Sequence, residues 1–373
     1  MIYNDFKGIK LSHLGLGAMR FPVIDGKDGQ IDEAAVEKMI ALAMENGINY
    51  YDTAWVYHDG QSEIVLGKML SKYPRDSYYL ATKFPCFNRS DMDKPEEIFE
   101  KQLEKCGVDY FDFYLIHNVC DRNIDFFMEE NNPLLGYLLE QKANGRIRHL
   151  GFSTHATNDN FARFLDAFGE HMEFCQIQLN YLDWSLQKAS EKVALLNKRN
   201  IPIWVMEPLR GGKLATLPEQ ATALLQQMRS EDNVPAWGFR FQQSIPGVTM
   251  VLSGMSNEEQ ILANLKTFES RKPLNGEEMS GLLEIANKMV AGVPCTSCRY
   301  CTTYCPQELN IPRLIELYNE HKYSAGSFVV KTALGALPEE KLPSACIGCR
   351  SCESVCPQKI KISEVMADFV ASL

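Results

Sequence analysis

The chain of 373 residues is short of basic side chains, with 38 Lys and Arg against 48 Asp and Glu and a formal net charge of −10. A nucleic-acid-binding protein needs a basic stripe that displaces phosphate counterions, and the sequence has none. It also lacks an apolar run of roughly 20 residues, the length that crosses a bilayer. We therefore expect neither a nucleic-acid partner nor a membrane partner.

The N-terminal segment "MIYNDFKGIKLSHLGLG" lacks a charged start followed by an apolar stretch. Because that pattern marks a secretory signal peptide, its absence predicts a cytoplasmic protein. Thiols stay reduced in that compartment, where clustered cysteines are typical of metal or redox ligands rather than disulfides. The hydrophobic fraction of 45% is enough for a sizeable core.

Short β-rich apolar runs alternate with longer amphipathic segments as far as residue 267. The alternation predicts a (β/α)8 TIM barrel, although a doubly wound open sheet would give the same pattern. No Gly-x-Gly-x-x-Gly follows the first strand, which favours the barrel. We expect a barrel in residues 1–270, a helical linker in 271–293 and a mainly helical domain in 294–373. The predicted strands are 13–17, 48–52, 78–83, 111–117, 147–153, 174–180, 201–206 and 248–254.

Eight of the twelve cysteines fall into two copies of one pattern, Cys-x2-Cys-x2-Cys-x3-Cys-Pro. Three thiolates spaced in this way wrap a loop around one [4Fe-4S] cluster, and the fourth departs in a new direction. Four thiolates also suit a tetrahedral zinc ion, usually as two Cys-x-x-Cys pairs. The duplication and the two Cys-Pro endings favour iron–sulfur clusters. The runs comprise Cys295, Cys298, Cys301 and Cys305, then Cys346, Cys349, Cys352 and Cys356.

These runs resemble those of bacterial dicluster ferredoxins, in which the fourth cysteine of each run ligates the other cluster. The long helical interval between them is most similar to the α-helical ferredoxin modules fused to oxidoreductases, over about residues 290–365. The resemblance implies single-electron transfer and an external ferredoxin, flavodoxin or other redox protein as partner. It assigns Cys295, Cys298, Cys301 and Cys356 to one cluster and Cys346, Cys349, Cys352 and Cys305 to the other. The remaining Cys86, Cys106, Cys120 and Cys175 show no ligand spacing and are expected to be buried and inert.

Four polar residues stand at or just beyond the ends of the second, third and fourth predicted strands, where barrels carry their chemistry. They are Asp52, Tyr57, Lys83 and His117. Reduction of a carbonyl needs a hydride at carbon and a proton at oxygen. A phenol donates its proton poorly at neutral pH, and a lysine held charged by Asp52 would lower its pKa. We therefore expect Tyr57 to be the general acid and neutral His117 to donate a second hydrogen bond to the same oxygen.

The segments "GINYYDTAWVYHDGQSEIVLG", "LATKF", "DFYLIHN", "RIRHLGFST" and "VMEPLRGG" resemble the aldo-keto reductases over about residues 8–268. The resemblance implies a (β/α)8 barrel and reduction of aldehydes or ketones by NADPH, with the Asp-Tyr-Lys-His tetrad intact. It assigns Ser153 and Gln176 to the nicotinamide carboxamide, and Leu209, Arg210 and Gly211 to the loop around the diphosphate. It assigns the adenosine end to Ser253, Gly254, Gln260 and Asn264.

Four positions depart from the family pattern. Met206 stands where an aromatic residue usually stacks on the nicotinamide, and Thr154 replaces an expected asparagine. Gln260 replaces an arginine near the 2′-phosphate, and Ala263 replaces a glutamate. The sequence therefore leaves the choice between NADP(H) and NAD(H) open.

Clusters move electrons one at a time, whereas a nicotinamide moves two as a hydride, and a bound flavin such as FMN could connect them. The leading hypothesis is a carbonyl reductase with a ferredoxin-like tail. The alternatives are a ferredoxin- or flavin-linked reductase, for example of an activated C=C bond, and a non-catalytic electron-transfer or docking subunit. The substrate would be a small molecule. Phe126, Phe127 and Met128, in the loop 117–132, could line its pocket or pack against the tail.

Overall fold

The computed structural model describes residues 1–130, 132–289, 292–324 and 326–373. Eight parallel strands close into a barrel in the order β10-β3-β4-β5-β6-β7-β8-β9, which confirms the predicted fold, and a two-stranded antiparallel hairpin precedes it. Each predicted strand overlaps one barrel strand. The strands are β1 (Tyr3–Phe6), β2 (Ile9–Ser12), β3 (Leu14–Gly17), β4 (Tyr50–Asp52), β5 (Tyr79–Phe84), β6 (Phe111–Val119), β7 (Ile147–Thr154), β8 (Cys175–Gln178), β9 (Ile203–Met206) and β10 (Val248–Ser253).

The helices follow the capping signals of the sequence. For α1 the Asp32 side chain accepts a hydrogen bond from Ala35 N, and the helix stops at Asn46, before Gly47 with a φ of 83°. The α-helices are α1 (Glu33–Glu45), α2 (Ser62–Leu70), α3 (Arg89–Met92), α4 (Pro95–Cys106), α5 (Ile124–Phe127), α6 (Pro133–Ala143), α7 (Asn158–Phe168), α8 (Asp183–Leu186), α9 (Ala189–Lys198), α10 (Glu219–Met228), α11 (Val234–Ser244), α12 (Glu258–Thr267), α13 (Gly276–Met289), α14 (Ile311–Tyr323), α15 (Phe328–Gly335), α16 (Ser351–Ser354) and α17 (Ile362–Ser372).

The hairpin of β1 and β2, which the sequence analysis did not predict, contributes to the core inside the barrel. Phe6 packs there with rings from several barrel strands, 5.0 Å between centroids from Trp204 and 5.7 Å from Phe113. Aromatic rings bury a large area each and favour such tilted and edge-on contacts. The interior of the barrel is therefore a packed core, and polar side chains can be accommodated only near one end of the strands.

The period-two geometry of the strands brings the predicted polar residues to that end. Side chains two residues apart point to the same face of a strand, so Asp52 points inward like Tyr50. By the same rule Lys83 follows the interior residue Ala81, and His117 follows Leu115. These residues lie at the carboxyl ends of adjacent strands, which is the mouth of the barrel.

The C-terminal region has small cores of its own. One combines Cys301 and Cys352 with apolar residues from α14 and α17, and a second contains Leu317 and Phe369. Ser363 lies within α17, and its hydroxyl donates to the Glu353 carboxylate at 2.5 Å. That acceptor satisfies the hydroxyl, and the helix begins after Lys361.

The linker predicted at 271–293 contains α13, which packs against α10 and is tied to the preceding segment by the ion pair between Glu278 and Arg229 at 2.6 Å. Residues 290 and 291 of this linker, residue 325 of the C-terminal region and residue 131 of the loop 117–132 lie outside the described residues. The domain boundaries remain predictions. Over the described ranges, no helix is both long and apolar enough to cross a bilayer.

Two glycines in helices offer a matched test of the packing. A Cβ on Gly67 of α2 would lie 2.3 Å from the Cys106 carbonyl oxygen, whereas a Cβ on Gly136 of α6 would meet nothing within 4 Å. We expect Gly67→Ala to lower the free energy of unfolding by about 1–3 kcal/mol, because the backbone of α4 would have to move. Gly136→Ala should raise it by about 0.4–1 kcal/mol. Chemical denaturation measures both, and equal effects would contradict the close contact of α2 with α4.

Candidate functional site

Asp52 and Lys83 form a buried ion pair at the mouth of the barrel. The Lys83 ammonium donates to Asp52 Oδ1 at 2.5 Å and to the Thr53 carbonyl at 2.7 Å. Burial is the largest single effect and acts to lower the pKa of Lys83, but the charges and hydrogen bonds of Asp52 and Tyr57 together outweigh it and raise the pKa, so the lysine stays protonated. The Lys83 ammonium is therefore a positive charge held in place by Asp52.

Tyr57 lies beside this charge. It begins a 3-10 turn (Tyr57–Gly60) after β4, and the Lys83 ammonium is 4.9 Å from the centroid of its ring. Burial raises the pKa of Tyr57 and the Lys83 charge lowers it, with burial the stronger effect. The net pKa is therefore above the ordinary value, which differs from our expectation that Lys83 would bring it down. The reason is that desolvation of the phenolate costs more than one neighbouring cation returns.

His117 completes the group. Its ring lies 5.9 Å between centroids from that of Tyr57, at an interplanar angle of 84°, and 5.1 Å from that of Phe87. Burial and the Lys83 charge hold the pKa of His117 well below its ordinary value, so the imidazole is neutral as expected. The four predicted catalytic residues are thus brought together, with a protonated phenol and a neutral imidazole edge to face.

The residues predicted for the carboxamide face each other across two strands. Ser153 pairs in register with Gln176, and Ser153 Oγ accepts from the backbone N–H of Asn118 at 2.8 Å. Gln176 Oε1 and Asn118 Oδ1 are buried, and neither has a hydrogen-bond partner among the described residues. Two such acceptors suit a primary amide, which has two N–H groups to donate, so the residues fit a nicotinamide. Thr154, by contrast, is occupied by a hydrogen bond to the Val119 carbonyl.

The loop predicted to surround the diphosphate contacts the C-terminal region. Leu209, Arg210 and Gly211 follow β9, but the Arg210 guanidinium is buried, lies 3.2 Å from Asp183 and donates to both oxygens of Glu320 in α14. The Tyr323 ring lies 4.9 Å from the guanidinium carbon. The Arg210 side chain therefore joins the barrel to the tail.

The residues predicted for the adenosine end lie at the last strand and helix. Asn264 Nδ2 donates to Ser253 Oγ at 3.2 Å, which links α12 to the end of β10. Gln260 Oε1 accepts from the backbone N–H of Ser256, so this side chain supports its own turn. Gly254 lies next to Ser253, where a Cβ would collide with the Arg20 side chain. The structure thus gathers these residues at one side of the mouth.

Glu207 is a titratable group that the sequence analysis passed over. It follows Met206 at the end of β9 with a φ of 53°, and it is open to solvent. Desolvation by the surrounding protein raises the pKa of its carboxyl to about 7, and the charge of Asp183 acts in the same direction. Glu207 stands one residue beyond a strand end, within "VMEPLRGG", and this position could have indicated that it lies at the mouth of the barrel.

The loop after β6 differs from expectation. Phe127 is buried and packs edge to face on Phe164 of α7, with centroids 5.4 Å apart, so it belongs to the barrel core rather than to a substrate pocket. Phe126 and Met128 are partly buried against the same core. A tail residue does reach the mouth nearby, because the Phe328 ring lies 5.5 Å from that of His155.

The cysteines of the two runs surround two separate cavities. Each cavity draws three cysteines from one run and the fourth from the other run, which is the crossed arrangement that the resemblance implied. The cysteines at the first are Cys295, Cys298, Cys301 and Cys356, and those at the second are Cys305, Cys346, Cys349 and Cys352.

The origin of these thiols bears on the zinc alternative. Zinc sites with four cysteines usually combine two Cys-x-x-Cys pairs. Each cavity here takes three thiols from one run and the fourth from the other, so the donor set suits [4Fe-4S]. The other four cysteines are buried, as predicted, and burial raises the pKa of each thiol.

Comparison with protein families matches residues 13–287 to the model described as "Aldo/keto reductase family". The chain belongs to the aldo/keto reductase family. Residues 294–360 match "4Fe-4S dicluster domain". This aldo/keto reductase therefore carries an iron–sulfur domain, and the two together make it an oxidoreductase.

Relatives of this aldo/keto reductase include the "NADH-specific methylglyoxal reductase" of Escherichia coli (strain K12), 29% identical over 55% of this chain and 66% of that protein. The "L-galactose dehydrogenase" of Arabidopsis thaliana is 23% identical over 74% of this chain and 90% of that protein. The chain thus spans slightly less than two thirds of the first relative.

Solved structures support the fold of this aldo/keto reductase. The holo form of aldo-keto reductase AKR11C1 from Bacillus halodurans superposes with a TM-score of 0.62 at 22% identity, covering 76% of this chain and 96% of that one. An aldo-keto reductase from Klebsiella pneumoniae in complex with NADPH gives 0.60 at 19% identity, covering 77% and 96%. Both likenesses concern the barrel alone.

The raised pKa of Tyr57 predicts a distinctive pH dependence. A proton donor works below its pKa, so carbonyl reduction should change less than about twofold from about pH 7 to 9. Alcohol oxidation needs the phenolate and should rise about tenfold per pH unit over the same range. Steady-state kcat in both directions measures this. A reduction rate that falls with a midpoint near pH 7 would identify Glu207, rather than Tyr57, as the donor.

The crossed cavities predict which cluster each fourth cysteine supports. Cys356→Ala should remove the cluster of the Cys295 run and Cys305→Ala that of the Cys346 run, each leaving about half of the iron. Iron and sulfide analysis and EPR of the reduced anaerobic protein measure the loss. Cys106→Ala, a buried thiol outside both cavities, is the control. If Cys356→Ala instead removed the signal that Cys346→Ala removes, the ligands would not be crossed.

Proposed function

We propose that this aldo/keto reductase reduces a small aldehyde or ketone to the alcohol with NADH or NADPH, and that its tail passes single electrons to or from another protein. The observation that carries the first part is the buried Lys83–Asp52 pair beside a protonated Tyr57 and a neutral His117. A carbonyl oxygen placed between Tyr57 and His117 would meet two donors, which is what a developing alkoxide requires.

In this proposal Tyr57 transfers its proton to the carbonyl oxygen while His117 hydrogen-bonds to the same oxygen. A bound nicotinamide would supply a hydride to the carbonyl carbon, and this hydride together with the proton from Tyr57 converts C=O to CH–OH. Lys83 then lies next to the phenolate that remains and stabilises its charge. The proton returns from solvent, to which the partly exposed Tyr57 is open.

The side chains of Ser153, Gln176 and Asn118 would hold the carboxamide, because Gln176 Oε1 and Asn118 Oδ1 are buried and have no hydrogen-bond partner among the described residues. The backbone of the loop Leu209–Gly211, with Ser253, Gly254, Gln260 and Asn264, would hold the diphosphate and adenosine. A relative named as NADH-specific and a fold neighbour in complex with NADPH support a nicotinamide dinucleotide of either kind.

The eight cysteines of the tail would hold two [4Fe-4S] clusters, which supply single-electron transfer when bound. Cys298 and Cys349 are exposed at the two cavities, so each cluster would approach the surface. A docked ferredoxin, flavodoxin or similar redox protein could exchange electrons there. We expect the protein to act in the cytoplasm, where such carriers are reduced.

A second candidate is a reductase driven by ferredoxin through a flavin such as FMN, with a peripheral nicotinamide or none. Two observations favour it. Met206, rather than an aromatic ring, stands where a nicotinamide would stack, and Arg210 is committed to Glu320 and Asp183 rather than to a dinucleotide phosphate. A flavin can also accept single electrons from the clusters and deliver two of them together as a hydride.

The test is Tyr57→Phe in the anaerobically purified protein. We expect kcat for reduction of an aldehyde such as methylglyoxal by NADH or NADPH to fall at least about 100-fold, since general acid catalysis contributes about 10²–10⁴. Tyr3→Phe, a conservative change at an exposed phenol, is the control. Unchanged turnover in Tyr57→Phe would refute the proton donor. A yellow chromophore released on denaturation, together with turnover only from reduced ferredoxin, would favour the second candidate.

A further inference from the structure

Arg20 is a cation at the mouth of the barrel that neither the strand-end pattern nor the family resemblance singled out. It ends the 3-10 turn (Ala18–Arg20) after β3, and its carbonyl accepts a hydrogen bond from Ser256 Oγ at 2.8 Å. The residue is exposed, and its charge acts to lower the pKa of Glu207, so this carboxyl lies within its electrostatic reach. The turn is thus anchored to the segment after β10 while the charge stays available.

The Arg20 side chain lies against two glycines, Gly254 and Gly211. A Cβ on Gly254 would lie 2.6 Å from Arg20 Cγ, closer than Cβ atoms approach other atoms, so the aliphatic stem rests on Gly254. A Cβ on Gly211 would lie 3.0 Å from Arg20 Nη2, so the guanidinium reaches Gly211. Gly211 also has a φ of 65°, which favours glycine. The side chain therefore spans from the loop after β10 to the loop after β9.

The other cations of this region are engaged elsewhere. Arg210 is buried between Asp183 and Glu320, and the Lys213 ammonium donates to the Ser324 hydroxyl of the tail. Gln260 stands where a basic residue could have faced a phosphate, and it is bonded to Ser256. Arg20 is left as the guanidinium between the two loops that the dinucleotide would follow.

We propose that Arg20 binds the diphosphate of the dinucleotide, between the backbone at Gly211 and the backbone at Gly254. The planar guanidinium fork matches two phosphate oxygens, and the two glycines make room for the Arg20 side chain against both loops. This inference rests on the proposed function, because it needs a dinucleotide in the mouth. The two arginines would then have different roles, because Arg210 binds the tail and Arg20 binds the cofactor.

The test compares Arg20→Gln and Arg20→Lys with the wild-type holoprotein, by fluorescence titration with NADH and with NADPH. Loss of a charged hydrogen bond should weaken binding of both dinucleotides by the same factor, about 10- to 100-fold, in Arg20→Gln. Arg20→Lys should recover part of the loss. The salt dependence of Kd should become shallower in Arg20→Gln, which a merely structural role would not cause. Arg163→Gln, an exposed arginine on α7, is the control.

The outcomes separate this inference from the proposed function. Equal Kd values for Arg20→Gln and wild type would overturn the inference and leave the proposed function standing. A loss confined to NADPH would also overturn it, since Arg20 would then face the 2′-phosphate rather than the diphosphate. If the wild-type protein binds neither dinucleotide, the proposed function itself fails and the inference with it. Melting temperatures and iron content within error of wild type show that the variants are folded.

Discussion

The buried contact between Lys83 and Asp52 is the constraint on which the mouth of the barrel depends. A lysine with no solvent exposure would be very costly without a partner, because desolvation of an ammonium is unfavourable. Asp52 on the neighbouring strand offsets that cost and fixes the ammonium in place. The packed aromatic core beneath keeps the pair in a low-dielectric setting. Burial and the fixed Lys83 charge together determine the protonation states of Tyr57 and His117, and burial is the stronger effect on both pKa values.

A second buried charge joins the two halves of the chain. Arg210 lies between Asp183 of the barrel and Glu320 of α14, and Arg313 of α14 lies 3.8 Å from Asp121 of the barrel. Removal of Glu320 would leave the buried Arg210 guanidinium with Asp183 alone and would break this charged contact between the barrel and the tail. The position of the tail and the shape of the loop after β9 are therefore linked. A domain that looks like a simple addition in sequence contributes to the wall of the mouth.

The sequence predicted the positions of functional residues where the residue types and their spacing allow only one arrangement. The proximity of Asp52, Lys83 and His117 was predicted from their positions at strand ends, since a barrel brings the ends of consecutive strands together whatever segment lies between them. The repeated cysteine spacing predicted two ligand sets, since such a repeated pattern is specific, and each set surrounds one cavity. The sequence did not predict the contacts of side chains whose partners are distant along the chain. Nothing in "VMEPLRGG" indicates that Arg210 turns to a glutamate 110 residues later, and nothing near Arg20 indicates that two glycines from other loops make room for it.

The sign of the Tyr57 pKa shows the same limit. The residue types indicated a cation near a phenol, but the balance between that cation and desolvation depends on how many atoms surround the ring. Phe127 was expected either in a substrate pocket or against the tail, and it packs in the barrel core instead, because an apolar loop residue suits all three environments. Only the packing against Phe164 decides between them.

The interleaving of the two cysteine runs has a consequence for how the molecule is made. Each cavity needs a thiol from residues 295–305 and one from residues 346–356, so neither can close while the ribosome has delivered only the first run. The barrel strands have all emerged by then. Metal loading would thus be a late, concerted event imposed on an already folded enzyme, and a nascent chain stalled between the runs would carry a finished barrel with no place for iron.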